Sequence, residues 1–252
     1  MLKEYGMENA KELDAGYGKT ESNLLIDNTK YQKLIGSLLY LSVNSRPDIA
    51  ASVSILARKV SCPTQEDWAE LKRILKYLKG TINHFLKLSN NNSEDNILIG
   101  YADANWAEDK IDRKSNSGYV FQINGGSISW ACRKQTCVSL SSTEAEFISL
   151  SKACKEAIWL RRLLSDMKII QTSPTIIYED NQSCLKLIKE EKLSNRTKHI
   201  DTKLHFVKDH IKKKEVECNY CPTESMVADI MTKPLKPPLF AKFPKSIGVE
   251  LD

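Results

Sequence analysis

Apolar positions along the chain fall into two regimes. From Tyr31 onward, Leu34, Ile35, Leu38, Leu39 and Ser42 recur at three-and-four spacing, which predicts a helix. Arg46-Pro47-Asp48 ends it and starts a second helix running to about Lys59, since proline suits a first turn. Cys62-Pro63-Thr64 interrupts again. Thr64 and Asp67 then stand at capping-box spacing before the stripe Trp68, Leu71, Ile74, Leu75 and Leu78 of a third helix. Its bases, Lys72, Arg73, Lys76 and Lys79, lie mostly on the other side, as expected of a solvated face. Residues 1–30, with Gly6, Gly16 and Gly18, show little periodicity and read as an irregular lead-in.

The polar run Asn90 to Asp95 marks a boundary, and the pattern then turns mixed. Ile97 to Asp103 has the length and β-branched content of a buried strand that ends on a carboxylate. Two alternating runs, Gly118 to Ile123 and Ser127 to Trp130, joined by Asn124-Gly125-Gly126, predict a hairpin. Ser139 to Met167 is helical, as two helices or one kinked one. Thr175 to Tyr178 forms a fourth strand, Gln182 to Lys189 a short helix, Lys198 to Lys214 another, and Val216 to Cys221 a fifth strand. Pro222 to Asp229 is expected to open a last helix closed by Pro234. Three strands, helix, strand, helices, strand, helix is the order of an α/β (α+β) domain with a five-stranded mixed sheet and flanking helices. The domains expected are a helical segment over 1–89, the sheet domain over 95–234 and a tail over 235–252.

Composition narrows the function classes. At 252 residues and 41% hydrophobic, the chain can bury a sizeable core. Its apolar stretches are broken by Gly36, Ser37, Ser42, Ser52 and Ser54, so no membrane association is expected. Acids near the start do not suit a signal or transit peptide, and seven scattered cysteines suit free thiols. Together they predict a cytoplasmic or nuclear protein. Cys218 and Cys221, with His205 and His210 nearby, are the only close cysteine pair, but no second pair completes a zinc site and Glu215 to Tyr220 alternates like a strand. A net charge of +5 supports only weak attraction to a polyanion.

The candidate chemistry is carboxylate chemistry. Asp103 and Asp180 each end an apolar strand, and adjacent parallel strands would bring them close enough to require a cation. Oxygen ligands without His or Cys indicate magnesium rather than zinc. Ser141-Ser-Thr-Glu-Ala-Glu146 offers a third acid. Both Glu144 and Glu146 sit at capping-box spacing, and spacing alone does not choose between capping and metal binding. Asp229, at a predicted helix start, also suits a purely dipole-related role.

Several blocks carry a family resemblance. Tyr101-Ala-Asp-Ala-Asn-Trp-Ala107, Arg113-Lys-Ser-Asn-Ser-Gly-Tyr-Val120, Ser139-Leu-Ser-Ser-Thr-Glu-Ala-Glu-Phe147, Tyr178-Glu-Asp-Asn-Gln182, Lys198-His-Ile-Asp201 and Ala228-Asp-Ile-Met-Thr-Lys233 resemble, in this order, the ribonuclease H domain of copia-type LTR retrotransposon Pol polyproteins. Tyr31 to Tyr40, Arg46 to Ala50 and Leu75 to Thr81 resemble the segment joining reverse transcriptase to that domain. The resemblance implies a ribonuclease H-like fold and metal-dependent endonucleolytic cleavage of the RNA strand of RNA–DNA hybrids. Four acids would hold two Mg2+ ions, with Mn2+ as a substitute: Asp103, Glu146, Asp180 and Asp229. The apolar Phe-Ile-Ser-Leu after Glu146 assigns it over Glu144. Two metals about 3.5–4 Å apart would activate a water and steady the leaving oxygen. Asn105, Ser139, Ser142, Asn181 and Gln182 flank the acids as candidate substrate contacts, with turn or cap duty as the competing role. His199 and His205 are candidate proton shuttles, and Lys203, Lys208 and Lys212 to Lys214 a candidate phosphate rail.

Two departures from the family pattern, Asn105 where aspartate is common and Asp67 where histidine is usual, touch none of these acids. No Tyr-x-Asp-Asp block is present, so no polymerase activity is expected. The partners implied are an RNA–DNA hybrid and a reverse-transcriptase body packed on the helical segment. The alternative is a catalytically silent remnant, or a hybrid-binding or interaction module of the same fold.

Overall fold

A computed structural model of the chain describes residues 24, 27–88, 96–190, 200–233, 235 and 237–251. Most of the irregular lead-in, the Asn90 to Asp95 boundary and His199 lie outside the described residues.

The amphipathic stripes of the first segment close on one another. Helices α1 (Thr29–Asn44), α2 (Ala50–Ala57) and α3 (Gln65–Gly80) bury Tyr31, Leu34, Ile35, Leu38, Val53, Leu56, Leu71, Ile74 and Leu75 in one cluster. Leu39 points outward, because it follows Leu38 by about 100° around the helix and the stripe continues through Ser42 instead. The Thr64 hydroxyl accepts from the Asp67 amide at 3.1 Å and the Asp67 carboxylate from the Thr64 amide at 2.9 Å, so the capping box is complete. Between α1 and α2, Pro47–Ile49 forms a 3₁₀ turn. There the buried Arg46 pairs with Asp48 at 2.7 Å, and the Tyr77 hydroxyl of α3 donates to the same carboxylate at 2.6 Å. This charged knot crosses the helical unit.

After the short strand β1 (His84–Leu86) come β2 (Leu98–Asn105), β3 (Asn116–Ile123), β4 (Gly126–Lys134), α4 (Ser142–Asp166), β5 (Thr175–Glu179), α5 (Gln182–Lys189), α6 (Asp201–Lys212) and β6 (Val216–Tyr220). The five-stranded sheet runs in the order β4-β3-β2-β5-β6, antiparallel through β2 and parallel beyond it. This is the ribonuclease H-like mixed sheet that the resemblance implied. The β3–β4 hairpin turns on Asn124 and Gly125, with φ of 52° and 79°; a two-residue turn of this kind needs left-handed backbone, which asparagine and glycine tolerate. Residues 142–166 form one helix of 25 residues, buried against the sheet through Phe147, Leu150, Cys154, Ala157 and Leu164.

The expected last helix over Pro222 to Pro234 does not form. Two 3₁₀ turns, Thr223–Ser225 and Val227–Met231, replace it, separated by Met226 at ψ 90°. Extended backbone at Pro222 (ψ 146°) and again at Met226 (ψ 90°) splits the stretch into pieces of three and five residues, short enough for 3₁₀ closure. The chain continues as α7 (Pro237–Ser246) and β7 (Val249–Leu251), and β7 pairs antiparallel with β1. Ala50 of α2, Val120 of β3, Val227, Ile230, Met231, Phe243, Ile247 and Val249 bury one another, so the helices, the sheet and the C-terminal residues share a cluster. No helix among the described residues is long and apolar enough to cross a membrane.

Candidate active site

Strand register sets the first pair of acids. Tyr101 of β2 lies beside Tyr178 of the parallel β5, with ring centroids 5.1 Å apart, so two residues further along, Asp103 within β2 meets Asp180 just past the end of β5. Glu146 enters from the first turns of α4. One oxygen from each of Asp103, Glu146 and Asp180 lies within 4.8 Å of the others. Ser149 holds that helix to the sheet, its buried hydroxyl donating to the Asp103 carbonyl at 2.7 Å.

The two glutamates at the start of α4 divide their work. The Glu144 carboxylate accepts the Leu140 amide at 2.8 Å, and the Ser141 hydroxyl accepts the Glu144 amide at 3.2 Å, so Glu144 secures the helix start. Glu146 Oε2 is buried and has no hydrogen-bond partner.

Asp229 comes from the 3₁₀ turn lying on β2 and β3. Gly118, paired with Asp103, permits that approach: a Cβ there would stand 2.6 Å from both Met231 Cβ and Thr232 Cγ2. Thr232 gives its hydroxyl to Asp103 Oδ2, while Lys233 Nζ sits 2.8 Å from Asp229 Oδ1 and 4.0 Å from Asp103 Oδ2. Asp229 is therefore a neighbour of the three-carboxylate group, held at its border by an ammonium.

Electrostatics reflect the crowding. Burial, with Asp103, Glu179 and Asp180 adding to it, pushes Glu146 up to about 11. Burial and the Asp103 charge push Asp229 up to about 7, against Lys233. Asp103 is raised by burial, with Lys233 and Thr232 opposing and Asp180 reinforcing. Burial works against the Lys233 ammonium, but Asp103 and Asp229 outweigh it and its pKa rises. Acids this close, with one orphaned oxygen and no nitrogen or sulfur ligand in the group, fit a hard divalent cation.

The remaining candidates take varied positions. Asn105 ends β2, half-buried, two residues past Asp103. Ser139 is buried; its hydroxyl donates to Gln135 at 2.7 Å and its carbonyl accepts the Trp106 indole at 3.0 Å, which makes it a loop brace. Ser142 and Gln182 are exposed first residues of α4 and α5. Asn181 caps α5 through the Cys184 amide at 3.0 Å. His205 is exposed, 3.3 Å from Asp201, and lines a cleft with Ile188, Lys189 and Lys208 that none of the four acids borders. Cys218 packs against the main core and Cys221 against Met226 and Ala228; no His or Cys cluster occurs among the described residues.

Sequence reasoning passed over Glu179, Thr232 and Lys233. Glu179 is fully buried behind Asp180, its Oε1 accepting the Asn181 amide at 3.1 Å and its Oε2 unpartnered. The Glu179-Asp180 doublet and the i,i+4 spacing of Asp229 and Lys233 were the available signals.

No family model matches the chain. It is 36% identical over 245 residues, 92% of its length, to the Retrovirus-related Pol polyprotein from transposon TNT 1-94 of Nicotiana tabacum. It is 39% identical over 227 residues, 89% of its length, to that of transposon RE1 of Arabidopsis thaliana. The chain belongs to the copia-type Pol polyprotein family. It spans 18% and 15% of the length of these two relatives. A 133-residue match at 44% identity to a protein named Secreted RxLR effector protein 161, from Plasmopara viticola, covers 53% of this chain and 92% of that one. Among solved structures, the chain is similar to LC11-RNase H1 in complex with RNA/DNA hybrid, at 11% identity and a TM-score of 0.41, over 54% of this chain and 93% of that one. The ribonuclease H-like fold of this copia-type Pol chain lies in β2 to β6 and the helices packed on them.

Proposed function

We propose that this copia-type Pol segment hydrolyses the RNA strand of RNA–DNA hybrids with divalent metal, Mg2+ first and Mn2+ as a substitute. The observation that carries the reading is the convergence of Asp103, Glu146 and Asp180 from three separate elements to within 4.8 Å. These three, with Asp229 at the border, would hold the metal. When bound, it supplies an acidified water for in-line attack and stabilises the leaving oxygen. The chain does the rest. Thr232 fixes the orientation of Asp103, and Lys233 offsets the acids' charge in the metal-free state. Asn105, Ser142, Asn181 and Gln182 offer short polar groups at the element ends beside the acids, suited to the 2′-hydroxyls of RNA. The polymerase portion of a longer polyprotein is the proposed partner of the helical unit.

The test is cleavage of an end-labelled RNA–DNA hybrid in Mg2+, with Asp103→Asn and Asp180→Asn alongside. Cutting of the RNA strand alone, reduced at least about 100-fold in both variants, is expected. A well-folded protein that cuts in neither Mg2+ nor Mn2+ would overturn the catalytic reading.

A further inference from the structure

A guanidinium of the helical unit reaches toward the acid cluster. Arg58 follows the last turn of α2, and α2 lies on β4 with the Ser54 hydroxyl donating to the Cys132 carbonyl at 3.1 Å. Half-buried Arg58 donates from Nη2 to Asn116 Oδ1 at 2.5 Å, with Nη1 3.6 Å from Glu108 Oε2. Asn116 is fully buried at the start of β3, opposite Asn105. A carboxamide has one accepting end and one donating end. With its oxygen taken by Arg58, the Asn116 amide nitrogen donates to Glu108 at 2.9 Å and faces the Thr232 carbonyl at 3.5 Å. Thr232, also fully buried, passes its hydroxyl to Asp103. Turning the amide over would set its oxygen against a carboxylate and a carbonyl, so the cation at the other end holds the correct face toward the site.

We infer that Arg58 is a positioning residue for the acid cluster, acting through Asn116 and Thr232, so that residues outside the ribonuclease H sheet tune its metal site. The inference rests on the metal-site reading above. Lysine keeps the charge but lacks the fork that serves Asn116 and Glu108 together.

Two measurements test it. In Mg2+-dependent thermal shift, Arg58→Met should raise the half-saturating concentration about 10-fold, a size typical of groups behind the ligands. Arg58→Lys should fall between, and Arg58→Met combined with Asn116→Ala should be no worse than the worse single variant, since both act through one path. In metal-free protein, amide hydrogen exchange over 229–233 should quicken in Arg58→Met and stay unchanged in Arg73→Met on α3. Unaltered Mg2+ dependence together with unaltered exchange would overturn the inference. Should the unsubstituted protein show no Mg2+ response, the metal reading fails and the exchange experiment alone decides the role of Arg58. Should Arg58→Met not fold, Arg58→Lys carries both measurements.

Discussion

Replacing Glu146 with glutamine should stabilise the metal-free protein while weakening its hold on a divalent ion. Glu146 is buried, and its folded-state pKa of about 11 lies far above its ordinary value of 4.5. For a carboxyl raised in this way, the stability linked to its proton is fully present below pH 4.5 and drains as pH climbs toward 11. At pH 7 the unfolded chain has gained about 2.5 pH units of ionisation free energy that the folded chain forgoes, on the order of 3 kcal/mol. That figure depends on the unfolded value alone as long as the folded value stays above 7. Glutamine matches the shape of the neutral acid, keeps an oxygen for the Ala104 amide and cannot ionise. Urea unfolding in EDTA at pH 5, 6, 7 and 8 should therefore show the variant gaining on the parent as pH rises. The difference in slope should approach 1.4 kcal/mol per unit, or about one proton. The acids titrate as a set, so the variant retains the slope owed to Asp103 and Asp229. Added Mg2+ should stabilise the parent increasingly toward pH 8 and the variant far less. Identical pH profiles, or equal protection by Mg2+, would refute the reasoning.

Two other substitutions probe how the site is supported. Gly118→Ala drives a methyl into the backbone-bearing turn at Met231 and Thr232; a loss of about 1–3 kcal/mol in denaturant unfolding is expected, with a higher Mg2+ requirement, and unchanged stability would show that the turn yields freely. Asp48→Ala leaves the buried Arg46 charge without its counter-ion, its hydrogen bonds to Thr81 remaining, and removes the carboxylate to which Tyr77 donates; a loss of about 3–5 kcal/mol, read by urea unfolding, is expected, and a loss below about 1 kcal/mol would mean that the knot is not structural.

What the sequence disclosed follows the range of the forces involved. Helix stripes, the capping box and the Asn124-Gly125 turn are local, and the structure reproduces them. The aspartates at the ends of two apolar strands were legible because parallel register converts like positions into neighbours. The choice between Glu144 and Glu146 was open to spacing because it depends on which side of α4 meets the sheet, and Ser149 on Asp103 fixes that at long range. Residues 222–251 were the least legible. The 3₁₀ turns there lack helical periodicity, and α7 and β7 gain their order from Val120, Leu86 and Ala50, far earlier in the chain. Lys233 was hidden for a related reason: its role needs Asp103 to arrive from another element.

The pairing of β1 with β7 also sets a schedule. During synthesis, the helical unit and the strands through β6 emerge while the row of hydrogen-bonding groups on β1 and the apolar side of Val120 still await residues 237–251. Asp229 and Lys233 emerge just before that strap, so a nascent or truncated chain holds Asp103, Glu146 and Asp180 without the late-arriving charges that border them. The acid cluster would then gain its bordering charges only once residues 229–233 and 237–251 have emerged and closed on β1 and β3.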